Sequence, residues 1–277
     1  HFLFSSLSNK GGEYMPNPII EMSEIEYSFN SKPILNKVNI SVKQGEIVGL
    51  IGPNGSGKTT IFNILSGSIK PNAGNIYING INIGNLSINQ RSKLLAVAPQ
   101  NPIFPEDMSV FELTALGRNP YLSLLSWESL NDNQLTIQSI EKVGLLELAS
   151  KKLKYTSGGE KQLALMAMVI CQETPIILLD EPTSNLDIKN QLHIMDTIST
   201  IRETSNKTIL INLHDLNLAA KYCDKIIFLK DGNVFQQGTP NEVITSENIQ
   251  SVYEILVNIL EHPTSLHPIV QPISKIL

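Results

Sequence analysis

With only two cysteines in 277 residues, the chain has no disulfide framework to build on. Cys171 and Cys223 are far apart, each in an apolar segment, and read as ordinary buried thiols of a reducing compartment. No run of Lys or Arg occurs and the formal net charge is −5, so nucleic acid is not an expected partner. Apolar stretches such as Ile176 to Leu179 are far short of the roughly 20 residues that cross a bilayer. The chain is not expected to form a channel by itself, although it can dock on one. Internal repeats and coiled-coil heptads are also lacking. The N-terminal HFLFSSLSNKGGEY has neither the cationic start nor the long apolar region of a signal peptide. Gly11-Gly12-Glu13 can be encoded as a ribosome-binding sequence just upstream of Met15. Translation is therefore expected to start at Met15, with residues 1–14 as read-through; N-terminal sequencing of the native protein tests this.

Hydrophobic residues make up 42% and charged residues 17% of the chain, in keeping with a globular protein that has a substantial core. Val38, Ile40 and Val42 alternate with polar residues before a Gln44–Gly45 turn, a strand pattern. Ile76, Ile78, Ile81 and Ile83 flank Asn79–Gly80, which predicts a tight hairpin. Strands are expected at Leu94–Ala98, Ile176–Asp180 and Thr208–Leu213. Helices are expected from about Ile188 to Thr204 and up to Cys223, with a second hairpin at Asp231–Gly232. Helical spacing from about Met108 to Leu153 suggests an inserted helical subdomain. Alternating strands and helices argue for a mainly parallel sheet.

The most informative string is Gly52-Pro53-Asn54-Gly55-Ser56-Gly57-Lys58-Thr59-Thr60. It follows the apolar run Ile47, Val48, Leu50, Ile51 and precedes a helical pattern. G-x-x-x-x-G-K-[ST] in that strand–loop–helix setting is a phosphate-binding loop. Its glycines permit tight turns that aim backbone N–H groups at phosphates, and the helix start adds positive partial charge. Lys58 is placed to reach the β- and γ-phosphates of ATP, and the Thr59 hydroxyl to sit on Mg²⁺. The strand Ile176–Leu179 then delivers Asp180 and Glu181 at its carboxyl end, where ligands bind in α/β sheets. Asp180 is expected to hold the metal and Glu181 to polarise the attacking water; a capping pair at a helix start is the plainer alternative.

Thr156-Ser157-Gly158-Gly159-Glu160 resembles the signature loop of ABC ATPases. With it stand Gln100 after its strand, Ser184-Asn185-Leu186-Asp187 as the D-loop, and His214 as the switch histidine. Phe29 matches the aromatic that stacks on adenine, with Tyr27 a poorer match by spacing. The resemblance spans roughly Ile19 to Tyr253. It implies an α/β P-loop NTPase core of the ABC type, with an antiparallel β subdomain and a helical subdomain at about 101–157. Residues 15–253 would form the ATPase domain and 254–277 a C-terminal tail. By the same resemblance Ser157, Gly158 and Gly159 would touch the γ-phosphate held by a second copy of the chain, and His214 would orient that phosphate and the water. Asp187 would sense the opposite site. Gln100 would contact metal and nucleotide and link them to a membrane partner.

Gly117-Arg118-Asn119-Pro120-Tyr121 resembles the G-R-x-P-[HY] element of importer ATPases that serve iron-siderophore, haem and cobalamin permeases. Some importers of molybdate and other metal oxyanions share it. The strings His214–Gly232 and Gly238–Ile255 are similar to the same group. The implied partners are a second copy, an integral-membrane permease and, indirectly, an external solute-binding protein, with the chain on the cytoplasmic face of the membrane. Arg118 reads either as a permease contact or as a solvated helix-end cation. Thr156 departs from the usual Leu, Glu160 from the commoner Gln, and Leu163 and Met168 from Arg. The alternative function is a soluble ABC ATPase of iron–sulphur cluster assembly, which should lack the G-R-x-P-Y element.

Overall fold

The computed structural model describes residues 18–122 and 129–276; the expected read-through at 1–14 lies outside them. The described residues fall into two compact units, one within 1–86 and 215–277 and the other within 87–214.

In the first unit, strands β1 (Ile20–Phe29) and β2 (Lys32–Val42) pair antiparallel. Asn30 and Ser31 between them both have positive φ, 49° and 62°, as a two-residue hairpin turn requires. Strand β3 (Ile47–Ile51) is buried along its whole length and leads into helix α1 (Lys58–Ser66). Strands β4 (Ala73–Ile78) and β5 (Ile81–Asn82) form the hairpin expected at Asn79–Gly80. The order β2-β1-β4-β5 makes one antiparallel sheet, built on Ile20, Met22, Ile40 and Ile78.

The second unit opens with α2 (Ile88–Ser92) and β6 (Leu95–Ala98). Helices α3 (Val110–Ala115) and α4 (Leu130–Lys142) occupy the stretch of helical spacing, and α5 (Gly158–Cys171) follows. Ser109, Ser129 and Ser157 start these three helices, each in a capping box with the acid three residues on, Glu112, Asp132 and Glu160. Each box satisfies two backbone donors that a helix start leaves open. Strand β7 (Ile176–Asp180), helix α6 (Ile188–Ser205) and strand β8 (Thr208–Asn212) complete the unit. β7 pairs in parallel with both β6 and β8. β7 and β8 are buried at every position, which explains their unbroken apolar runs in place of alternation.

Back in the first unit come α7 (Leu216–Tyr222), β9 (Lys225–Lys230) and β10 (Asn233–Gly238). β9 runs parallel to β3 and antiparallel to β10. Helices α8 (Pro240–Val243) and α9 (Ser246–Tyr253) precede the tail. That tail, uninformative in sequence, is an antiparallel pair, β11 (Ile255–Glu261) with β12 (Pro268–Lys275). Val257 on β11, and Pro268 and Val270 on β12, are its buried residues. From α7, Asn217 Nδ2 donates to Val270 O at 3.2 Å and Asn217 Oδ1 accepts from Val270 N at 2.7 Å. The second strand of the tail is thus clasped to α7 through the backbone of Val270.

Candidate functional site

In the first unit the loop after β3 has the shape its sequence requires. Gly57 has φ +103°, and a Cβ there would stand 2.5 Å from Leu35 Cδ2. A Cβ on Gly52 would lie 2.1 Å from Leu229 O, so both positions exclude side chains by backbone conformation or space. Lys58 is buried, and its Nζ donates to Gly52 O at 2.6 Å and Pro53 O at 3.0 Å. The ammonium is therefore held over the loop itself. Ser56 Oγ is buried with no hydrogen-bond partner. A buried hydroxyl left unpaired costs about 1–3 kcal/mol, and it lies in a loop whose composition fits an anionic ligand. Phe29, the expected adenine contact, ends β1 beside the Asn30–Ser31 turn and is 61% exposed.

In the second unit the structure brings Gln100, Glu181 and His214 together. Gln100 Nε2 donates to Glu181 Oε2 at 2.6 Å, and His214 Nε2 lies 2.6 Å from Glu181 Oε1. Each carboxylate oxygen of Glu181 thus has its own nitrogen partner. Glu181 also has φ +50°, an uncommon conformation for a non-glycine residue. Asp180, one residue earlier, is buried, and its Oδ1 accepts from Asn212 Nδ2 at 2.6 Å. The plainer alternative of a helix-capping pair does not describe these contacts: α6 is capped by Asp187, whose side chain accepts from Asn190 N.

The signature residues stand at the start of α5. Ser157 Oγ accepts from Glu160 N at 3.2 Å, and Glu160 Oε2 accepts from Ser157 N at 2.7 Å. The Ser157 N–H bond, followed by Lys151 at 3.5 Å, holds the Glu160 carboxyl below its usual range. Ser157 and Gly158 are exposed, whereas Gly159 is buried. A Cβ on Gly159 would come within 2.9 Å of the Asn190 side chain. Asn190 in turn donates through its backbone N and its Nδ2 to the two carboxylate oxygens of Asp187, at 2.8 and 2.9 Å. The departures from the family pattern are absorbed locally. Thr156 is buried with Oγ1 donating to Leu153 O at 2.7 Å, and Leu163 is a core residue.

Both sequence readings of Arg118 are corrected. Its side chain is only 6% exposed. Nε donates to Asp132 Oδ1 on α4, and Nη1 to Cys171 O at the end of α5 and to Glu173, all at 2.8–2.9 Å. The guanidinium lies 4.3 Å from the Tyr121 ring centre, and Tyr121 OH donates to Gln172 O. A Cβ on Gly117 would come within 2.3 Å of Met168 O. The string GRNPY is therefore spent on packing against α5 inside its own unit. Sequence reasoning also missed Asn212; the available signal was an Asn ending the otherwise apolar TILI run.

A glycine-shaped phosphate loop opening a helix, and an acidic strand end held by Gln and His, define a nucleotide-hydrolysing P-loop protein. The ABC transporter family profile matches residues 35–184. The chain belongs to the ABC transporter family and is one of its ATPases. It is 34% identical to the petrobactin import ATP-binding protein FpuD of Bacillus anthracis, over 92% of this chain and 94% of that one. It is 34% identical to the iron(3+)-hydroxamate import ATP-binding protein FhuC of Bacillus subtilis, over 90% and 93%. The solved ATP-binding cassette MJ0796, a dimer bound to ADP and Pi after hydrolysis, matches with TM-score 0.70 at 27% identity, covering 79% of this chain and 98% of that one. Among the described residues, no helix is long and apolar enough to cross a membrane.

Proposed function

We propose that this chain is the ATP-hydrolysing subunit of an importer for an iron chelate, haem, cobalamin or a related metal compound, working beneath a membrane permease. The import names of the two relatives support the class of cargo, and the Gln100–Glu181–His214 cluster carries the chemistry. Glu181 accepts a proton from the water that attacks the γ-phosphorus, and ADP and phosphate leave. His214 and Gln100 aim that carboxylate. Lys58 and the N–H groups of residues 52–60 neutralise the phosphates, while Phe29 stacks on adenine. Thr59 and Asp180 are hard oxygen donors of the kind Mg²⁺ takes when phosphates and water fill its remaining positions, with Gln100 as a further contact. When bound, Mg²⁺ supplies counter-charge to the transferring phosphoryl group.

Ser157, Gly158 and Gly159 offer a hydroxyl and close backbone approach to an ATP held by a second copy, and Asp187 senses that opposite site. Loss of the γ-phosphate then opens the pair. The dimeric state of MJ0796 supports this reading. Residues 101–157 are the helical segment that faces the permease, 15–253 the ATPase domain and 254–277 its tail. The chain then sits on the cytoplasmic face of the membrane, and the cargo reaches the permease through an external solute-binding protein. The experiment is purification of the C-terminally tagged chain from detergent-solubilised native membranes, with partners identified by mass spectrometry. A polytopic permease is expected. A soluble iron–sulphur scaffold without a membrane partner overturns the importer reading.

A further inference from the structure

Asn212 ends β8, where every other residue of the strand, Thr208 apart, is aliphatic. It is fully buried, at 0% exposure. Three observations meet on this residue. Its Nδ2 donates to Asp180 Oδ1 at 2.6 Å. Its backbone carbonyl accepts from Glu181 N at 3.2 Å. Its own Oδ1 has no partner. A buried acceptor without a donor is unfavourable, and an aliphatic side chain would end this strand at no such cost. The amide orientation is set by chemistry: the opposite orientation would point a carbonyl oxygen at a carboxylate.

We propose that Asn212 is the positioning residue of the acidic strand end. One amino acid on β8 sets both neighbours on β7: Asp180 through its side-chain amide, and Glu181 through its main chain, which helps hold Glu181 at φ +50°. The hydrogen bond orients the Asp180 carboxylate, so an oxygen is already aimed when the metal arrives. Oδ1, in the same amide group, is an acceptor for a water O–H beside that carboxylate. Outer partners of metal-binding groups typically change affinity or rate by about 10–100-fold when removed. This inference rests on the proposed Mg²⁺ role of Asp180.

The test compares the full chain with Asn212→Leu, which keeps the branched outline with bulkier methyl ends and has no donor, and with Asn212→Ser, which keeps a donor on a shorter arm. Binding of a fluorescent ATP analogue is measured in EDTA and across a Mg²⁺ series, alongside turnover and thermal melting. Asn212→Leu loses the donor to the buried Asp180 carboxylate along with the unmatched acceptor, so melting serves to show that the variant is folded. In EDTA it binds the analogue as the wild type does, since the phosphate loop is untouched. Its half-saturating Mg²⁺ concentration is expected to rise about tenfold and its kcat to fall by a similar factor, with Asn212→Ser between the two. Should Asn212→Leu fail to fold, Asn212→Val, suited to a strand, carries the same expectation. A folded donorless variant with wild-type Mg²⁺ dependence and kcat overturns the proposal. Wild-type binding and turnover that ignore Mg²⁺ overturn the role of Asp180 itself, and with it the inference.

Discussion

In the proposed mechanism Glu181 and Lys58 act on opposite parts of the same chemistry, and their removal should separate binding from turnover. Glu181→Gln keeps the volume and the Gln100 contact but loses the base. It is expected to bind ATP with unchanged affinity while hydrolysis falls by about 10²–10⁴-fold, as nucleotide titration and phosphate release will show. Lys58→Ala removes the buried ammonium over the phosphate loop and is expected to weaken nucleotide binding in the same titration. These residues were legible in sequence because phosphate chemistry demands fixed residue types at fixed spacing. Arg118 was not. A cation in a recognisable string says nothing of whether its partners lie outside the protein or, as here, at Asp132 and Cys171 O. Asn212 was equally silent, because its meaning depends on which residues of β7 it faces.

The α5 helix is held at both ends, and each end has its own test. Ser157 caps its start and Arg118 binds the carbonyl at its finish. Replacing Ser157 with Ala is expected to cost about 1 kcal/mol of stability, read by denaturant unfolding, besides any effect on turnover. At the other end, Asp132 is held below the usual carboxylate range, first by the Ser129 hydroxyl and then by Arg118. Its folded pKa is depressed, so its contribution to stability is fully present above the unfolded value of about 4. That contribution is lost as pH falls through the lower folded value. Asp132→Asn takes the charge from the partner of the buried Arg118 and replaces with an NH2 one of the two oxygens that accept from Arg118 and Ser129; it is expected to destabilise by about 3 kcal/mol at neutral pH. Urea titrations of both proteins should converge as pH drops below 4. Strand β7 was readable as an apolar run. The boundaries of α3 and α4 were not, because helical periodicity alone does not mark where a chain turns.

At the scale of the whole molecule, Glu181→Gln with Mg-ATP is expected to elute from gel filtration as a dimer and without nucleotide as a monomer. An unchanged monomer peak would count against the shared-nucleotide arrangement. The phosphate loop, signature and acidic strand made the α/β class readable from local strings. The β11–β12 pair escaped notice because Pro263, Pro268 and Pro272 read as punctuation. In the structure the last two have a further consequence. Residues 268, 270 and 272 alternate to the same side of β12, the side away from β11, because Val270 turns its N–H to Asn217 there. Proline has no N–H, and Val270's is already taken. Over that stretch the outer edge of β12 offers no amide donor to an incoming strand, which disfavours edge-to-edge pairing on that side at high concentration. Asn217→Ala, which releases the Val270 N–H, should show the difference as light scattering that grows with concentration.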